Sequence, residues 1–330
     1  PQTITDYSFL SKYTRFPFIT VLPQARFLEF VVEEAARCPN FQLLRGANVR
    51  EFLEEDGSVR GVRYQRNGSM EELPADLVVG ADGRFSRTRH LSRLRMVKTA
   101  PPMDVLWFKL PRRTGEFPDL NLSVWVGRGH YLALTDRFDH WQAAMVVPKG
   151  ASKGIKAAGL ENLQRIVAEA VPELADRVHT LDDWSRVSVL QVSSERLTRW
   201  YRPGLLLIGD AAHTMSSVGG VGINCAIQDA AVASNVLGRP LREGTLLLRH
   251  LREVQLRQEI PIRVTQALQW LAQRQVIARA LDPNRTFTLP LSLRIPVLRR
   301  LAAWIGAFGV WKVRVDRSGF QPLSAPQVLQ

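Results

Sequence analysis

Residues Leu205–Ala230 read LLLIGDAAHTMSSVGGVGINCAIQDA, and the fold turns on this stretch. A short apolar strand, Leu205–Ile208, ends in Gly209-Asp210. Ten residues on, Gly219, Gly220 and Gly222 open a helix predicted over Gly222–Leu237. Ile223, Ala226, Ile227, Ala230, Ala233 and Leu237 predict one buried apolar stripe along it. The first N–H groups of a helix lack an intrahelical acceptor and carry the positive end of its dipole, so they stabilise negative charge. The glycines alone do not specify a dinucleotide, because no ribose-binding acid follows about 20 residues further on.

A second stretch, Leu77–Arg89 (LVVGADGRFSRTR), has the same form. A buried strand delivers Gly80-Ala81-Asp82-Gly83 at its C-terminal end, where open α/β sheets bind ligands. Asp82 can accept hydrogen bonds there, and glycine lets backbone approach a phosphate closely. One Asp-Gly after a strand is commonly just a turn. Two such strand ends more than a hundred residues apart are harder to read as turns.

Outward from these, Gln24–Arg37 predicts a helix after Pro23, with a largely apolar face including Phe27, Phe30, Val31 and Ala35. Leu43–Glu54, Ser58–Arg66 and Glu71–Gly80 predict three connected strands, separated by the hairpin dipeptides Asp56-Gly57 and Asn67-Gly68. Around Val105–Leu110, Ser123–Val126, Tyr131–Thr135 and Trp141–Val147, aromatic-rich runs predict an antiparallel sheet. Leu160–Ala175 predicts a helix, the chain from Glu243 is mostly helical and basic, and the tail after Ser318 reads as irregular.

The two motifs together resemble the class A flavin monooxygenases of the para-hydroxybenzoate hydroxylase type, from about Val21 to Leu237. In that family an Asp-Gly-x-x-Ser-x-x-Arg element lies near the FAD pyrophosphate, and it matches Asp82, Gly83, Ser86 and Arg89. The element Gly-Asp-Ala-Ala-His, a glycine loop and Asn match Gly209–His213 and Gly219–Asn224. The resemblance implies that Asp210 holds the ribityl chain and that the backbone of Gly222, Ile223 and Asn224 faces the flavin's pyrimidine edge, with Gly209, Gly219 and Gly220 shaping the loop. It also places Gln24 near ribityl or phosphate oxygens and the Val49 backbone near adenine. Two departures stand out. Nothing before Gln24 supplies the family's Gly-x-Gly-x-x-Gly strand–helix unit, so the chain reads as a fragment, and Ser217 stands where the family usually has proline.

The implied fold class is α/β with an α+β middle domain: an incomplete Rossmann-like FAD-binding domain interleaved with an antiparallel-sheet substrate domain. The boundaries expected are 1–95 and 196–240 for the FAD-binding domain, 96–195 for the substrate domain and 241–330 for a helical region. The implied function is FAD-dependent hydroxylation of an aromatic or other electron-rich small molecule, with NADH or NADPH as transient reductant and dioxygen as oxidant. A flavin-dependent reductase of isoprenoid-type substrates and a non-catalytic remnant without flavin are the alternatives. The Trp-x-Trp-x-x-Ile-Pro signature associated with flavin halogenases is absent.

Composition narrows the remaining classes. The net charge of +13 comes from 37 Arg and 7 Lys against 31 acidic residues, spread along the chain without a nucleic-acid-binding signature, so no nucleic-acid partner is expected. Two cysteines, Cys38 and Cys225, allow no disulfide framework, and a cytoplasmic setting is the expectation. The histidines show no zinc spacing and no Gly-x-Ser-x-Gly elbow occurs. Trp107, Trp125, Tyr131 and Trp141 either line a substrate pocket or fill the middle sheet's core. Leu289–Trp311 is apolar but interrupted by Arg294, Pro296, Arg299 and Arg300. It is no membrane span, and either packs on the domain or lies as a peripheral helix at a lipid surface.

Overall fold

The computed structural model describes residues 8–18, 22–113, 115–116, 122–137, 139–284 and 295–316. Val21, Leu289, Arg294 and the tail after Ser318 lie outside them. The chain is α/β, with four sheets among the described residues, the five-stranded one inserted in sequence between strands of another.

Helix α1 (Gln24–Ala36) forms as its spacing predicts, but none of its residues is buried, and Phe30 is 58% exposed. Strands β1 (Asn48–Glu55), β2 (Ser58–Arg66) and β3 (Ser69–Pro74) make an antiparallel meander. Asp56-Gly57 and Asn67-Gly68 all have positive φ, between 48° and 85°, which is the paired left-handed geometry of a tight hairpin. The run read as Glu71–Gly80 is two strands, not one. After Pro74, which cannot donate to a ladder, the chain leaves the meander, and β4 (Val78–Gly80) joins a different sheet.

That second sheet has the order β12 (Tyr201–Arg202), β13 (Leu205–Leu207), β4. β13 and β4 run parallel with Val78 opposite Leu205 and Gly80 opposite Leu207, and all three leucines of β13 are fully buried. Gly204 in the β12–β13 turn has φ 72°, and a Cβ there would lie 1.8 Å from the Val59 carbonyl oxygen, so the meander rests directly on that turn.

The middle unit is a five-stranded antiparallel sheet of β6 (Met103–Pro111), β7 (Leu122–Val126), β8 (Tyr131–Asp136), β9 (His140–Pro148) and β10 (Ser188–Gln191), in the order β10-β6-β9-β8-β7. One face buries Leu106, Phe108, Leu132 and Trp141 against Leu163 and Val167 of α4 (Leu160–Ala170), with α3 (Ala151–Ala157) alongside. α4 stops five residues short of the predicted end, because Pro172 disfavours helical backbone at the residue before it. β5 (Met96–Thr99) pairs with β11 (Ser194–Leu197) where the chain enters and leaves this unit.

Asp104 locks the sheet edge. Its carboxylate accepts from Lys149 Nζ at 2.8 Å, the Gly150 amide at 2.8 Å and the Val192 amide at 3.2 Å. Burial pushes this carboxyl up, but those hydrogen bonds prevail and hold it below the ordinary value. A depressed folded pKa contributes stability above the unfolded pKa of about 3.9 and loses it as pH falls through the folded value. Asp104→Asn is therefore expected to cost about 1–3 kcal/mol at pH 7 and less at pH 3, read by urea unfolding at both. An equal gap at both pH values would refute the assignment.

Helices α5 (Gly222–Arg242), α6 (Leu248–Ala272), α7 (Ala278–Ala280) and α8 (Pro296–Phe308) complete the fold, with a π-helical turn at Gln273–Ile277 between α6 and α7. The buried face of α5 is Cys225, Asp229, Val232, Ala233, Val236 and Leu237. This corrects the predicted stripe: Ile223 and Ile227 are 47% and 48% exposed and Ala230 is exposed too, the side of α5 they occupy having nothing packed on it among the described residues. α8 packs back on the domain through Trp304, edge-on to Tyr13 at 5.0 Å, and the Phe308 carbonyl, which accepts from Gln228. Among the described residues no helix is long and apolar enough to cross a membrane.

Candidate functional site

The parallel pairing of β4 and β13 sets the two strand ends side by side, and the Ile208 amide donates to the Gly80 carbonyl at 3.0 Å. Gly80 has to be glycine: a Cβ would sit 2.2 Å from Thr88 Oγ1 and 2.4 Å from Leu207 Cδ2. That contact seats α2 (Arg87–Ser92) against the strand end. The Asp82 carboxylate accepts from Ser86 Oγ at 2.5 Å, Thr88 Oγ1 at 2.6 Å and the Thr88 amide at 2.9 Å. Burial pushes the Asp82 carboxyl up, and the hydrogen bonds more than offset it, holding it below the usual range. Ser86 in turn caps α2 by accepting from the Arg89 amide. Gly83, at φ 81°, has open space where a Cβ would point.

Arg89 joins the two motifs. Its guanidinium donates to the Asp210 carbonyl at 2.8 Å, the Ala211 carbonyl at 3.3 Å and the Arg84 carbonyl at 2.5 Å. In this structure its visible work is to fix the backbone of the second motif.

Gly209 has φ 59°, and a Cβ on it would come within 3.1 Å of Ala226 Cβ, so α5 closes directly on this residue. The Gly209 amide donates to Asp229 Oδ2 at 2.8 Å, and His213 Nε2 lies 2.6 Å from the same oxygen. Both side chains are at most 1% exposed, and the His213 ring packs on Trp200 at 4.9 Å. Asp210 differs: its carbonyl is held by Arg89 and Thr214, but its half-buried carboxylate has no hydrogen-bond partner among the described residues. Burial first, then Asp229 and Asp210, push the neighbouring Cys225 thiol up to about 12.

Gly219 and Gly220 take φ of 78° and 63°, and nothing lies within 4 Å of where a Gly220 Cβ would be. α5 then begins without a side-chain cap, and the amides of Gly222, Ile223 and Asn224 have no acceptor among the described residues. Asp82, Gly83, Arg89, Gly209, Asp210, Gly219, Gly220, Gly222, Ile223 and Asn224 thus converge on one end of the parallel strands. Val49 is half-buried in β1, whose neighbouring Arg50 carbonyl accepts from Arg87 and so touches the first motif. Gln24 opens α1 with its side chain exposed, and no hydrogen bond links it to either motif among the described residues.

Several residues escaped the sequence reading. Asp229 sits mid-helix, where a carboxylate normally faces water, and only its being buried under Gly209 gives it a role. Gln266, Gln269 and Gln273 contact the loop between Asp210 and α5. Their shared helical face reads from sequence alone as a solvated one. The aromatic residues divide: Trp125 and Trp141 belong to the helix-covered core, while Trp107 and Tyr131 lie on the opposite sheet face. On that face Val218 of the glycine loop packs near Met103 and Val105. Further along it, an open surface hollow of about 620 Å³ is lined by Trp107, Lys109, Arg137, Gln142 and Arg186.

The sequence matches the model of the FAD binding domain family over residues 3–259. It is 35% identical over 304 residues to 6-methylpretetramide 4-monooxygenase of Streptomyces rimosus, a match covering 91% of this chain and 72% of that protein. Among solved structures, the OxyS anhydrotetracycline hydroxylase from Streptomyces rimosus is similar with a TM-score of 0.71 at 21% identity, covering 96% of this chain and 62% of that one. PqsL from Pseudomonas aeruginosa is similar with a TM-score of 0.64 at 21% identity, covering 80% of this chain and 71% of that one. At those identities the two structures speak for the fold.

Proposed function

Because the chain belongs to the FAD-binding domain family of flavin-dependent monooxygenases, we propose that it hydroxylates an anionic, fused-ring aromatic small molecule, with NADH or NADPH as reductant and dioxygen as oxidant. The observation that carries this reading is Asp210, an unpartnered, half-buried carboxylate beside the uncapped start of a 21-residue helix. A carboxylate that water reaches and no protein group engages is free to accept hydrogen bonds from a ligand's hydroxyls. The residues fit FAD: a carboxylate for ribityl hydroxyls, free amides at Gly222, Ile223 and Asn224, and a loop at Gly219-Gly220 with no side chain to block backbone approach. Bound FAD would supply the electron transfer and oxygen activation.

The chain's own groups then have distinct tasks. Asp210 accepts hydrogen bonds and orients the ribityl chain, and Arg89 with Asp82 keeps Asp210 in place. The α5 amides and dipole stabilise negative charge at the ring edge they face. Val49 and Gln24 are proposed to meet adenine and the ribityl–phosphate chain. The domain division at 1–95, 96–195, 196–240 and 241–330 is supported by the β5–β11 pair, which lies at both crossings into the middle unit.

The open hollow on the glycine-loop side of the middle sheet is the proposed substrate site. Its volume suits more than one ring, and the relatives' names point to polycyclic substrates. Lys109 and Arg137 place positive charge at its wall, so an ionised phenol or carboxylate is favoured. Replacing both with alanine is expected to raise KM for a carboxylated naphthol about 10-fold or more, with kcat little changed and its methyl ester unaffected. Equal effects on acid and ester would remove the charge assignment.

The test of the main reading is the visible spectrum of the protein expressed from its whole reading frame. Flavin bands that survive desalting and bleach with NADH or NADPH support it, and product formed under oxygen but not nitrogen separates hydroxylase from reductase. A folded protein that retains no flavin in excess FAD would overturn it.

A further inference from the structure

α6 and the π turn after it carry a stripe of buried glutamines where a core-packed helix is ordinarily apolar. Gln255, Gln258, Gln266, Gln269 and Gln273 are each at most 9% exposed. At 100° per residue they fall within about 80° of arc, on one face. Three of them, Gln266, Gln269 and Gln273, donate to the irregular segment leading to α5, while Gln255 and Gln258 donate to the carbonyls of Thr198 and Gln228. Gln266 Nε2 donates to the Glu195 carbonyl at 3.1 Å and the Thr214 carbonyl at 3.4 Å. Gln269 Nε2 donates to the carbonyls of Ser216 at 3.0 Å and Val218 at 2.7 Å, straddling Ser217. Gln273, turned by the π segment, donates to Ser216 Oγ at 2.7 Å.

This segment belongs to no sheet, so its carbonyls need partners from elsewhere. The glutamines supply them at the point where Gly219 and Gly220 adopt left-handed backbone ahead of α5. Gln269 Oε1 itself has no partner among the described residues, so the side chain is arranged for donation to the loop at some cost to its own satisfaction. Ser217 sits at φ −68°, the value a proline ring imposes, and its amide has no acceptor among the described residues. The loop therefore holds a proline-like geometry without a ring.

We propose that Gln269 and Gln273 are positioning residues that clamp Ser216–Val218 and thereby set the glycine loop and the first amides of α5 for the ligand. Hydrogen exchange on the ligand-free protein tests the clamp without any assumption about function, and FAD affinity tests its consequence, which rests on the functional reading above. Gln269→Met keeps the length and removes the donor. Losing two hydrogen bonds is expected to speed exchange of the hydrogen-bonded loop amides of Val218, Gly220 and Cys225 about 10-fold or more, with the first half of α6 unchanged, and to weaken FAD binding by a similar factor. Ser217→Pro, which restores the restraint from within the loop, is expected to recover most of both losses in the Gln269→Met protein and to change the parent less than about 3-fold.

Unchanged loop exchange in Gln269→Met, or no recovery by Ser217→Pro in a folded double variant, would overturn the proposal. Where Gln269→Met fails to fold, Gln273→Met gives the same test, with about a 3-fold change expected for one lost bond. A parent protein that binds no FAD yet shows the exchange pattern upholds the clamp and removes the functional reading instead.

Discussion

Asp210→Ala is expected to weaken FAD binding about 100-fold or more while leaving the melting temperature of the flavin-free protein within about 2 °C. The two halves of that result come from different observations. The carboxylate has no hydrogen-bond partner among the described residues, so removing it breaks no protein hydrogen bond. The Asp210 carbonyl, which Arg89 and Thr214 hold, survives in alanine, and the loop keeps its course. Two charge-assisted bonds to ligand hydroxyls, at about 1.5 kcal/mol or more each, give the expected factor. Titration of the flavin-free protein with FAD by fluorescence quenching measures it. A loss of stability comparable with the loss of affinity would mean that Asp210 is a structural residue, and the site assignment would fall with it. The Cys225 thiol offers a second readout, since it should titrate lower once one of its acidic neighbours is gone.

Asp229→Leu should have the opposite profile, costing about 2–4 kcal/mol of stability before any ligand is added. Asp229 is fully buried, and its Oδ2 accepts from the Gly209 amide and sits 2.6 Å from His213 Nε2. Leucine matches its bulk but leaves both donors without an acceptor in a site closed by Trp200. Asp229→Asn retains one acceptor oxygen and should fall between the two. Urea unfolding of the three proteins is the measurement, and an Asp229→Leu protein within about 1 kcal/mol of the parent would show that the pair is not holding the loop.

Both expectations concern one helix, α5, and the loop packed against it, yet only one of the two residues stood out in the sequence. Asp210 follows a strand and precedes glycines, a local pattern that marks a ligand-facing turn. Asp229 lies in an ordinary helical context, and so do Gln266 and Gln269. The stripe predicted for α5 failed for a related reason. Ile223 and Ile227 have the right spacing for burial but are half exposed, and spacing does not say which side of a helix the rest of the fold covers. α1 shows the same limit, with correct helical periodicity and no buried residue.

By itself the sequence determined what depends on near neighbours along the chain. Asp-Gly and Asn-Gly turned the meander because those residues tolerate positive φ, and alternating aromatic runs made the strands of the middle sheet. The order of two strand–Gly-Asp motifs, with a glycine loop opening a helix, identified the family. The tertiary structure decided what depends on residues distant in sequence. It separated β4 from the meander, paired it in parallel with β13 over a hundred residues away, and put Arg89 on the Asp210 carbonyl. It also turned Gln266 and Gln269 from surface-like residues into donors for loop backbone that no strand could satisfy. Local propensity acts over a few residues, whereas a buried polar group takes whatever partner the fold brings to it, and that partner is not written beside it.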